Sequence, residues 1–211
     1  MSKNYVLFNP LAGNKRCGTE IKMIEAMLDG EILYCDMTKP ETYSDILPEM
    51  QRGDILIVCG GDGTLNRFIN LPYDYSEKNE VYYFPMGSGN DFAHELGHKY
   101  GDRPFNITKY LKDLPEVTVN GKTYKFLNGI GYGIDGYCCE VGDKLRETTE
   151  GSINYTAIAI KGLLFHYKPT NATVTVDGVK HKFKRVWLAP TMNGKFYGGG
   201  MLPTPNQDRA S

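Results

Sequence analysis

The first hundred residues alternate between short apolar runs and segments with helical spacing, and this alternation limits the folds open to the chain. The apolar runs lie at residues 5–8, 32–35, 55–59 and 81–84, and each has the length of a buried strand. After the first run, apolar residues recur at helical spacing from Ile21 to Leu28, with Thr19 placed to cap the helix and Gly30 to end it. Further helices are predicted at residues 46–50, at residues 64–70 and from residue 90 onward. Strands that alternate with helices predict an α/β fold with a parallel sheet covered on both faces.

The pattern changes near residue 114, where hairpin signals replace helical ones. The dipeptides Asn120-Gly121 and Asp177-Gly178 each lie between two strand-like runs, and such pairs favour the tight turns of β-hairpins. A helix is also predicted at residues 152–165. We therefore expect two domains: an N-terminal α/β domain at residues 1–113 and a mainly antiparallel β domain at residues 114–211.

Composition and charge narrow the classes of function. The formal net charge of the 211-residue chain is −1 and its pI is about 6.4, so no nucleic acid partner is expected. No apolar run approaches the roughly 20 residues of a membrane-spanning helix, and the first eight residues resemble a strand rather than a signal peptide. The five cysteines include no C-x-x-C pair, which indicates reduced thiols. These features predict a cytoplasmic enzyme.

Two glycine-rich loops follow the third and fourth predicted strands. Each precedes a predicted helix, so backbone N–H groups and a helix N-terminus can meet an anion there. Ligands of parallel sheets bind at the carboxyl ends of the strands, where both loops and the segment after the first strand lie. Two such loops separated by one helix–strand unit predict a polyphosphate site. The loops consist of Gly60, Gly61, Asp62, Gly63, Thr64, Leu65 and Asn66, and of Gly87, Ser88, Gly89 and Asn90.

Asp62 is the unusual member of the first loop. A carboxylate beside phosphates is repelled unless it contacts Mg²⁺ or accepts a proton from an attacking hydroxyl. The flanking glycines let the backbone come close to a phosphate, and Thr64 can cap the next helix or donate to a phosphate oxygen. We therefore expect a nucleotide site with Asp62 as its catalytic carboxylate. A Gly-Asp-Gly turn without a ligand is the alternative.

The loops also resemble three motifs of the diacylglycerol kinase catalytic domain family. The matching segments are Asn9-Pro10-Leu11-Ala12-Gly13, the loop at residues 60–66, and residues 85–93, which are PMGSGNDFA in one-letter code. The family includes bacterial lipid kinases and sphingosine kinases, and NAD kinases share the Gly-Gly-Asp-Gly-Thr loop. The similarity continues weakly through residues 126–136 and 198–200, so it extends over nearly the whole chain.

The resemblance implies a kinase that uses ATP and Mg²⁺ and phosphorylates a lipid at a membrane surface, with diacylglycerol as the expected acceptor and phosphatidic acid as the product. The N-terminal domain would bind ATP and the C-terminal domain the lipid. Arg67 stands where family members usually carry an acidic residue, so it would serve a phosphate electrostatically instead. The metal ligands are left open, and a homodimer is a candidate assembly. ATP would contact Asn9, Pro10, Gly13, Thr38, residues 61–67 including Arg67, and Ser88.

Similar enzymes extend beyond the triple-glycine segment at residues 198–200. The further stretch supplies residues associated with Mg²⁺ and a carboxylate that is proposed as general base. We therefore expect this chain to be truncated at its C-terminus, with part of its second domain missing. An ATP-binding remnant without kinase activity is accordingly a second hypothesis.

Two other motifs offer alternatives. Residues 94–98, HELGH, match the H-E-x-x-H motif of zinc peptidases, with two histidines one helical turn apart and Glu95 as base. The extended form of that motif needs a third ligand where Pro104 stands, so a zinc peptidase is the weaker hypothesis. Residues 131–136 fit the G-x-G-x-x-G pattern, but no strand with a terminal acidic residue follows, so a link between strands is expected there instead of a dinucleotide site.

Overall fold

The computed structural model describes residues 2–148, 158, 161–162 and 166–209. The chain divides into two compact units, of which the first contains Met1–Asn128 together with Met192–Ser211 and the second contains Gly129–Thr191. The first unit is therefore discontinuous in sequence. The predicted domain boundary at residue 114 remains a prediction. Among the described residues, no helix combines the length and the apolar character that crossing a membrane requires.

The first unit is built on a five-stranded sheet with the strand order β2-β1-β3-β4-β5. The first four of these strands run parallel and β5 is antiparallel to β4, which confirms the predicted parallel sheet. Because β1 lies between β2 and β3, the order reverses direction at β1 and creates a switch point at its carboxyl end. The strands are β1 (Lys3–Phe8), β2 (Glu31–Asp36), β3 (Ile55–Gly60), β4 (Glu80–Pro85) and β5 (Phe105–Asn106).

Short helices connect the strands. The first connection is α1 (Arg16–Glu20) followed by a 3-10 segment at Ile21–Ala26, and the second contains a wide turn at Thr42–Ile46 and a 3-10 turn at Leu47–Glu49. The predicted cap at Thr19 is wrong, because Thr19 lies within α1 and its hydroxyl donates to the Arg16 carbonyl oxygen. Beyond β3 and β4 come α2 (Asp62–Ile69) and α3 (Asp91–Glu95), close to their predicted positions.

Both faces of the sheet are covered by apolar side chains. Leu56 and Ile57 are neighbours on β3, both fully buried, and they belong to different hydrophobic clusters because adjacent strand residues point to opposite faces. Helices α2 and α3 cover the Leu56 face with Leu65 and Phe92. The Ile57 face packs against α1 and the 3-10 segment that follows it, including Ile24. The sheet thus keeps its carboxyl-end loops on a buried, rigid support.

The two predicted hairpins are present. The first is formed by β6 (Glu116–Val119) and β7 (Lys122–Lys125) and belongs to the first unit; the second is formed by β9 (Thr170–Val176) and β10 (Val179–Val186) in the second unit. Both turn dipeptides have positive φ angles at both residues, as the tight hairpin turn requires.

The remaining elements of the second unit depart from the sequence prediction. Strand β8 (Gly129–Gly133) pairs with β11 (Leu188–Met192), and the helix α4 (Ile134–Thr148) starts directly after Gly133. The glycine motif at residues 131–136 therefore joins a strand to a helix, and the expected link between strands is wrong. The helix predicted at residues 152–165 falls almost wholly outside the described residues.

Cavity-forming substitutions on the two faces of β3 test the double coverage of the sheet. We expect Leu56→Ala and Ile57→Ala each to lower the free energy of unfolding by about 2–5 kcal/mol, because each leaves a buried cavity. Urea unfolding followed by circular dichroism measures both values. Val119→Ala, on the exposed hairpin surface, is the control and should change the free energy by less than about 0.5 kcal/mol. A small loss in only one of the two core variants would show that one face of the sheet is solvated.

Candidate functional site

Three loops meet at the carboxyl ends of β1, β3 and β4. The Asn9 N–H donates to the Cys59 carbonyl oxygen over 3.2 Å, and the Met86 N–H donates to the Gly60 carbonyl oxygen over 2.7 Å. The backbone at Gly13 lies so close to the Met86 carbonyl oxygen that no Cβ would fit. The loop after β1 and the two glycine-rich loops therefore form one continuous surface at the switch point of the sheet, where parallel sheets bind ligands.

Two glycines bring the backbones of the second and third loops into direct contact. A Cβ on Gly61 would lie 2.9 Å from the Gly87 Cα atom, and a Cβ on Gly87 would overlap the Gly61 Cα atom. Gly60 has a φ of 155° and lies against the side chain of Thr64. Gly63 differs from them, because it lies on α2 with open space around the position of a Cβ. Gly61 and Gly87 thus act by packing on each other.

Asn90 closes the loop that starts at Gly87. Its Oδ1 accepts from the Gly87 N–H over 2.9 Å, and its Nδ2 donates to the Gly87 carbonyl oxygen over 2.8 Å. The backbone of Asn90 is left-handed, with a φ of 55°, a conformation that asparagine tolerates well. The side chain is buried, so Asn90 shapes the loop from within.

The hydroxyl of Tyr83 links the two glycine loops, and the sequence analysis did not single it out. It lies 2.9 Å from the Gly60 carbonyl oxygen and 3.2 Å from Asn90 Oδ1. Burial raises the pKa of Tyr83 well above its usual value, so the hydroxyl keeps its proton and donates. Because a tyrosine in a strand is most often a core residue, nothing in the sequence separates Tyr83 from its neighbours.

The Asp62 carboxylate joins the first glycine loop to the start of α3. Its Oδ2 accepts from the Asp91 N–H over 2.9 Å, and its Oδ1 accepts from the Phe92 N–H over 3.0 Å and from Asn128 Nδ2 over 2.8 Å. The two backbone N–H groups are among those that a helix leaves without intrahelical partners, so Asp62 caps α3 from a neighbouring helix. The structure therefore supplies three N–H partners for Asp62 that the sequence did not indicate.

Asp91 places a second carboxylate next to Asp62. It is 7% exposed, and its Oδ2 accepts from the Gly199 N–H over 2.9 Å. Its Oδ1 is buried and has no hydrogen-bond partner within the described part of the chain. Burial is the largest cause that raises the pKa of Asp91, and the charge of Asp62 adds to it, whereas the Gly199 and Gly200 N–H groups and His94 lower it. A carboxylate with one unsatisfied buried oxygen beside another carboxylate suits a small divalent cation.

The other residues predicted for the site occupy different environments. Asn9 and Pro10 are half-buried on the first loop, whereas Asn66, Arg67, Ser88 and Gly89 are exposed near the two glycine loops. Thr38 is exposed after β2 and donates its backbone N–H and its hydroxyl to Asp36 Oδ1, so it is not part of the contacts that join the three loops. Thr64 and Leu65 are buried, and Leu65 belongs to the hydrophobic core.

The H-E-x-x-H segment does not form a two-histidine metal site. Helix α3 ends at Glu95 and Gly97 has a φ of 81°, so His98 is no longer on the helix that carries His94. His94 stacks on Phe196 at 4.4 Å between ring centroids, and His98 stacks on Phe105 at 3.7 Å. No cluster of three or more potential metal-binding side chains occurs among the described residues. The zinc peptidase hypothesis is therefore not supported by the geometry.

Comparison with known proteins links these features to one family. A family model for the diacylglycerol kinase catalytic domain matches residues 3–119, and a model for the YegS C-terminal NAD kinase beta sandwich-like domain matches residues 128–210. The protein named "Putative lipid kinase YtlR" of Bacillus subtilis is 29% identical over 168 residues, which are 71% of this chain and 53% of that protein. A Staphylococcus epidermidis protein named "Putative lipid kinase" is 28% identical over 191 residues, which are 86% of this chain and 59% of that protein.

Solved structures show a similar fold. The structure titled "Crystal structure of a putative diacylglycerol kinase from Bacillus anthracis str. Sterne" superposes with a TM-score of 0.61 at 22% sequence identity, and the match covers 98% of this chain and 69% of that chain. The chain spans between half and three fifths of the length of the curated relatives from Bacillus subtilis and Staphylococcus epidermidis.

Alanine substitution at two glycines tests the backbone contact between the glycine loops. We expect Gly87→Ala to destabilise the protein by about 1–3 kcal/mol, because its Cβ would overlap Gly61 and the Asn90 side chain. We expect Gly63→Ala to stabilise it by about 0.5–1 kcal/mol, because Gly63 lies on α2 with open space and alanine favours the helix. Thermal and urea unfolding measure both changes. Equal effects in the two variants would contradict the contact.

Proposed function

The chain belongs to the diacylglycerol kinase catalytic domain family, and we propose that it binds ATP with Mg²⁺ at the three joined loops and supports transfer of the γ-phosphate to a lipid hydroxyl, with diacylglycerol as the acceptor. The observation that carries the proposal is the pair of carboxylates, Asp62 and Asp91, held by backbone N–H groups beside two glycine loops in contact. The chain matches only 53% of the length of the Bacillus subtilis relative, so the activity of the whole protein is also a proposal.

The loops account for the binding of the phosphates. Helix α2 starts at Asp62 at the carboxyl edge of the sheet, and its first N–H groups lack intrahelical partners, so they are available to phosphate oxygens. Ser88 and Gly89 are exposed on the neighbouring loop, and Arg67 is an exposed cation in the last turn of α2. In the proposed complex, hydrogen bonds from several backbone N–H groups orient the triphosphate, and the glycines leave room for it because they have no side chain.

The two carboxylates fit a magnesium ion. Asp91 Oδ1 is buried without a partner in the described part of the chain, and Asp62 Oδ2 accepts only one described hydrogen bond, so each carboxylate keeps capacity for a cation. Mg²⁺ in nucleotide sites is usually bound through one or two carboxylates, with water and phosphate oxygens as further ligands. When bound, the ion neutralises charge on the phosphate oxygens. Asp62 and Asp91 are the residues that would hold it.

The transfer itself is an in-line displacement. The lipid hydroxyl oxygen forms a bond to the γ-phosphorus, the bond from that phosphorus to the bridging oxygen breaks, and ADP leaves with the electron pair. The hydroxyl proton passes to the Asp62 carboxylate, which is the base that we propose. Its three N–H partners hold its oxygens at fixed positions, so its negative charge is oriented before the reaction begins.

A second candidate function is an ATP-binding protein without kinase activity. It is favoured by the hydrogen bonds of Asp62, because three N–H donors already occupy the carboxylate that would have to accept the hydroxyl proton. In that case the loops and carboxylates bind the nucleotide, and no phosphate is transferred. The two functions share the same nucleotide site and differ only in the product.

Labelled ATP distinguishes the two functions. We expect the chain, incubated with γ-labelled ATP, Mg²⁺ and vesicles of mixed lipids containing diacylglycerol, to bind ATP and to transfer label to lipid. Asp62→Asn should weaken ATP binding in the presence of Mg²⁺ about tenfold or more, because it removes a charged acceptor from three N–H donors. Thin-layer chromatography of the lipids and equilibrium binding of ATP are the two measurements.

The control for this experiment is Asp45→Asn, which makes the same change at an exposed position of the Thr42–Ile46 turn. NAD is included as a competing acceptor, because NAD kinases share the first glycine loop. Binding of ATP without labelled lipid favours the ATP-binding protein, and label on NAD redirects the proposal to another acceptor. Absence of any ATP binding would contradict both functions.

A further inference from the structure

We infer that Arg209 and Asn128 are positioning residues for Asp62, with Arg209 orienting the Asn128 amide so that its NH₂ group faces the carboxylate. The inference rests on the proposed function, in which Asp62 belongs to the MgATP site. It assigns a role to two residues that lie far from the glycine loops in sequence and that none of the motifs contains. All the residues concerned belong to the first compact unit.

Asn128 has different partners on the two sides of its amide. Its Nδ2 donates to Asp62 Oδ1 over 2.8 Å, and its Oδ1 accepts from Arg209 Nη2 over 2.8 Å. Its backbone carbonyl oxygen accepts from the Asn193 and Gly194 N–H groups, so the main chain at this point is held as well. An arginine only donates and an ionised carboxylate only accepts, so the amide fits between them in one orientation.

Arg209 is held in a buried position by other groups. Its Nε and Nη2 donate to the two carboxylate oxygens of Glu95 over 3.0 and 2.8 Å, and its Nη1 donates to the Leu127 carbonyl oxygen. The side chains of Arg209 and Glu95 are only 8% and 7% exposed. A bidentate pair fixes the plane of the guanidinium. The second N–H bond of Nη2 therefore points toward Asn128 in a fixed direction.

The same guanidinium also contacts the helix that Asp62 caps. It lies 4.9 Å from the centre of the Phe92 ring, and the Phe92 N–H is one of the donors to Asp62. Glu95, the partner of Arg209, is the last residue of α3. Arg209 is therefore connected to Asp62 in two ways: through the Asn128 amide and through α3.

A lysine cannot reproduce this arrangement. Its ammonium group is a single point with three donors, whereas Arg209 donates to Glu95, Leu127 and Asn128 from three separate nitrogens. Arg209→Lys therefore keeps the charge beside Glu95 and weakens the orientation of the amide. Asn128→Asp keeps the contact with Arg209 and loses the one with Asp62. One oxygen of the new carboxylate can still accept from Arg209, but the other oxygen faces the Asp62 carboxylate, and the two negative charges repel each other.

The experiment measures nucleotide affinity of the 211-residue chain twice for each variant, with MgATP and with ATP in excess EDTA. We expect Arg209→Lys and Asn128→Ala to weaken MgATP binding, and Asn128→Asp to weaken it about tenfold or more, because a repelled carboxylate no longer holds its position. Binding of ATP in EDTA should change less than about twofold, since the loops remain. The double variant with Arg209→Lys and Asn128→Ala should lose less affinity for MgATP than the two single losses together predict, because part of the Arg209 effect passes through the Asn128 amide.

Arg103→Lys and Asn206→Asp serve as matched controls, because they make the same chemical changes at exposed positions. Circular dichroism and thermal unfolding confirm that each variant is folded. A general structural role would weaken binding of MgATP and of metal-free ATP equally and would give additive effects in the double variant. Either of these results overturns the inference.

A readout that needs no nucleotide separates this inference from the proposed function. We expect the Asn128 side-chain NH₂ protons, followed by nuclear magnetic resonance, to exchange slowly with water, and to exchange faster in both Arg209→Lys and Asp62→Asn. Unchanged exchange in Arg209→Lys contradicts the positioning role even if ATP binds. Faster exchange in a protein that binds no ATP supports the positioning role and rejects the proposed function.

Discussion

The hydrogen bonds from the N–H groups of Asp91 and Phe92 to the Asp62 carboxylate connect the parts of the site that come from different strands. Asp62 lies at the start of α2, which follows β3 in the chain. Its two backbone donors lie at the start of α3, which follows β4. Among the described residues, the two glycine loops are otherwise joined by backbone contact and by the Tyr83 hydroxyl. One carboxylate thus caps α3 and also lies beside the groups that we propose for phosphate binding. Both roles involve the free N–H groups at helix N-termini.

The sheet makes this connection possible because its strands are buried on both faces. Leu56 and Ile57 belong to different clusters, so β3 is packed from both sides. The strand order places β1, β3 and β4 side by side, and their carboxyl ends deliver three loops to one edge. The site therefore depends on core packing that lies well below it.

The sequence predicted the features that depend on local patterns. The four parallel strands, the two hairpins and the glycine loops follow from periodicity and from turn dipeptides, which act over a few residues. Contacts between distant residues could not be predicted in this way. Asn128 lies 66 residues from Asp62 and Arg209 lies 81 residues from Asn128, and neither occurs in a motif with a fixed spacing. Asp91 stands next to the second loop, but its burial and its Oδ1, which has no hydrogen-bond partner among the described residues, depend on the contact with Gly199 and are not visible in the sequence.

The contact between Gly61 and Gly87 limits how the nucleotide preference of the proposed site can change. Because the two backbones touch, neither loop can shift to widen or narrow the space for phosphates without displacing the other. A side chain at either position would force the two loops apart, whichever nucleotide the protein bound. A change of phosphate donor at the proposed site would therefore come from exposed positions such as Ser88, Asn66 and Arg67, whose side chains can change without moving the backbone.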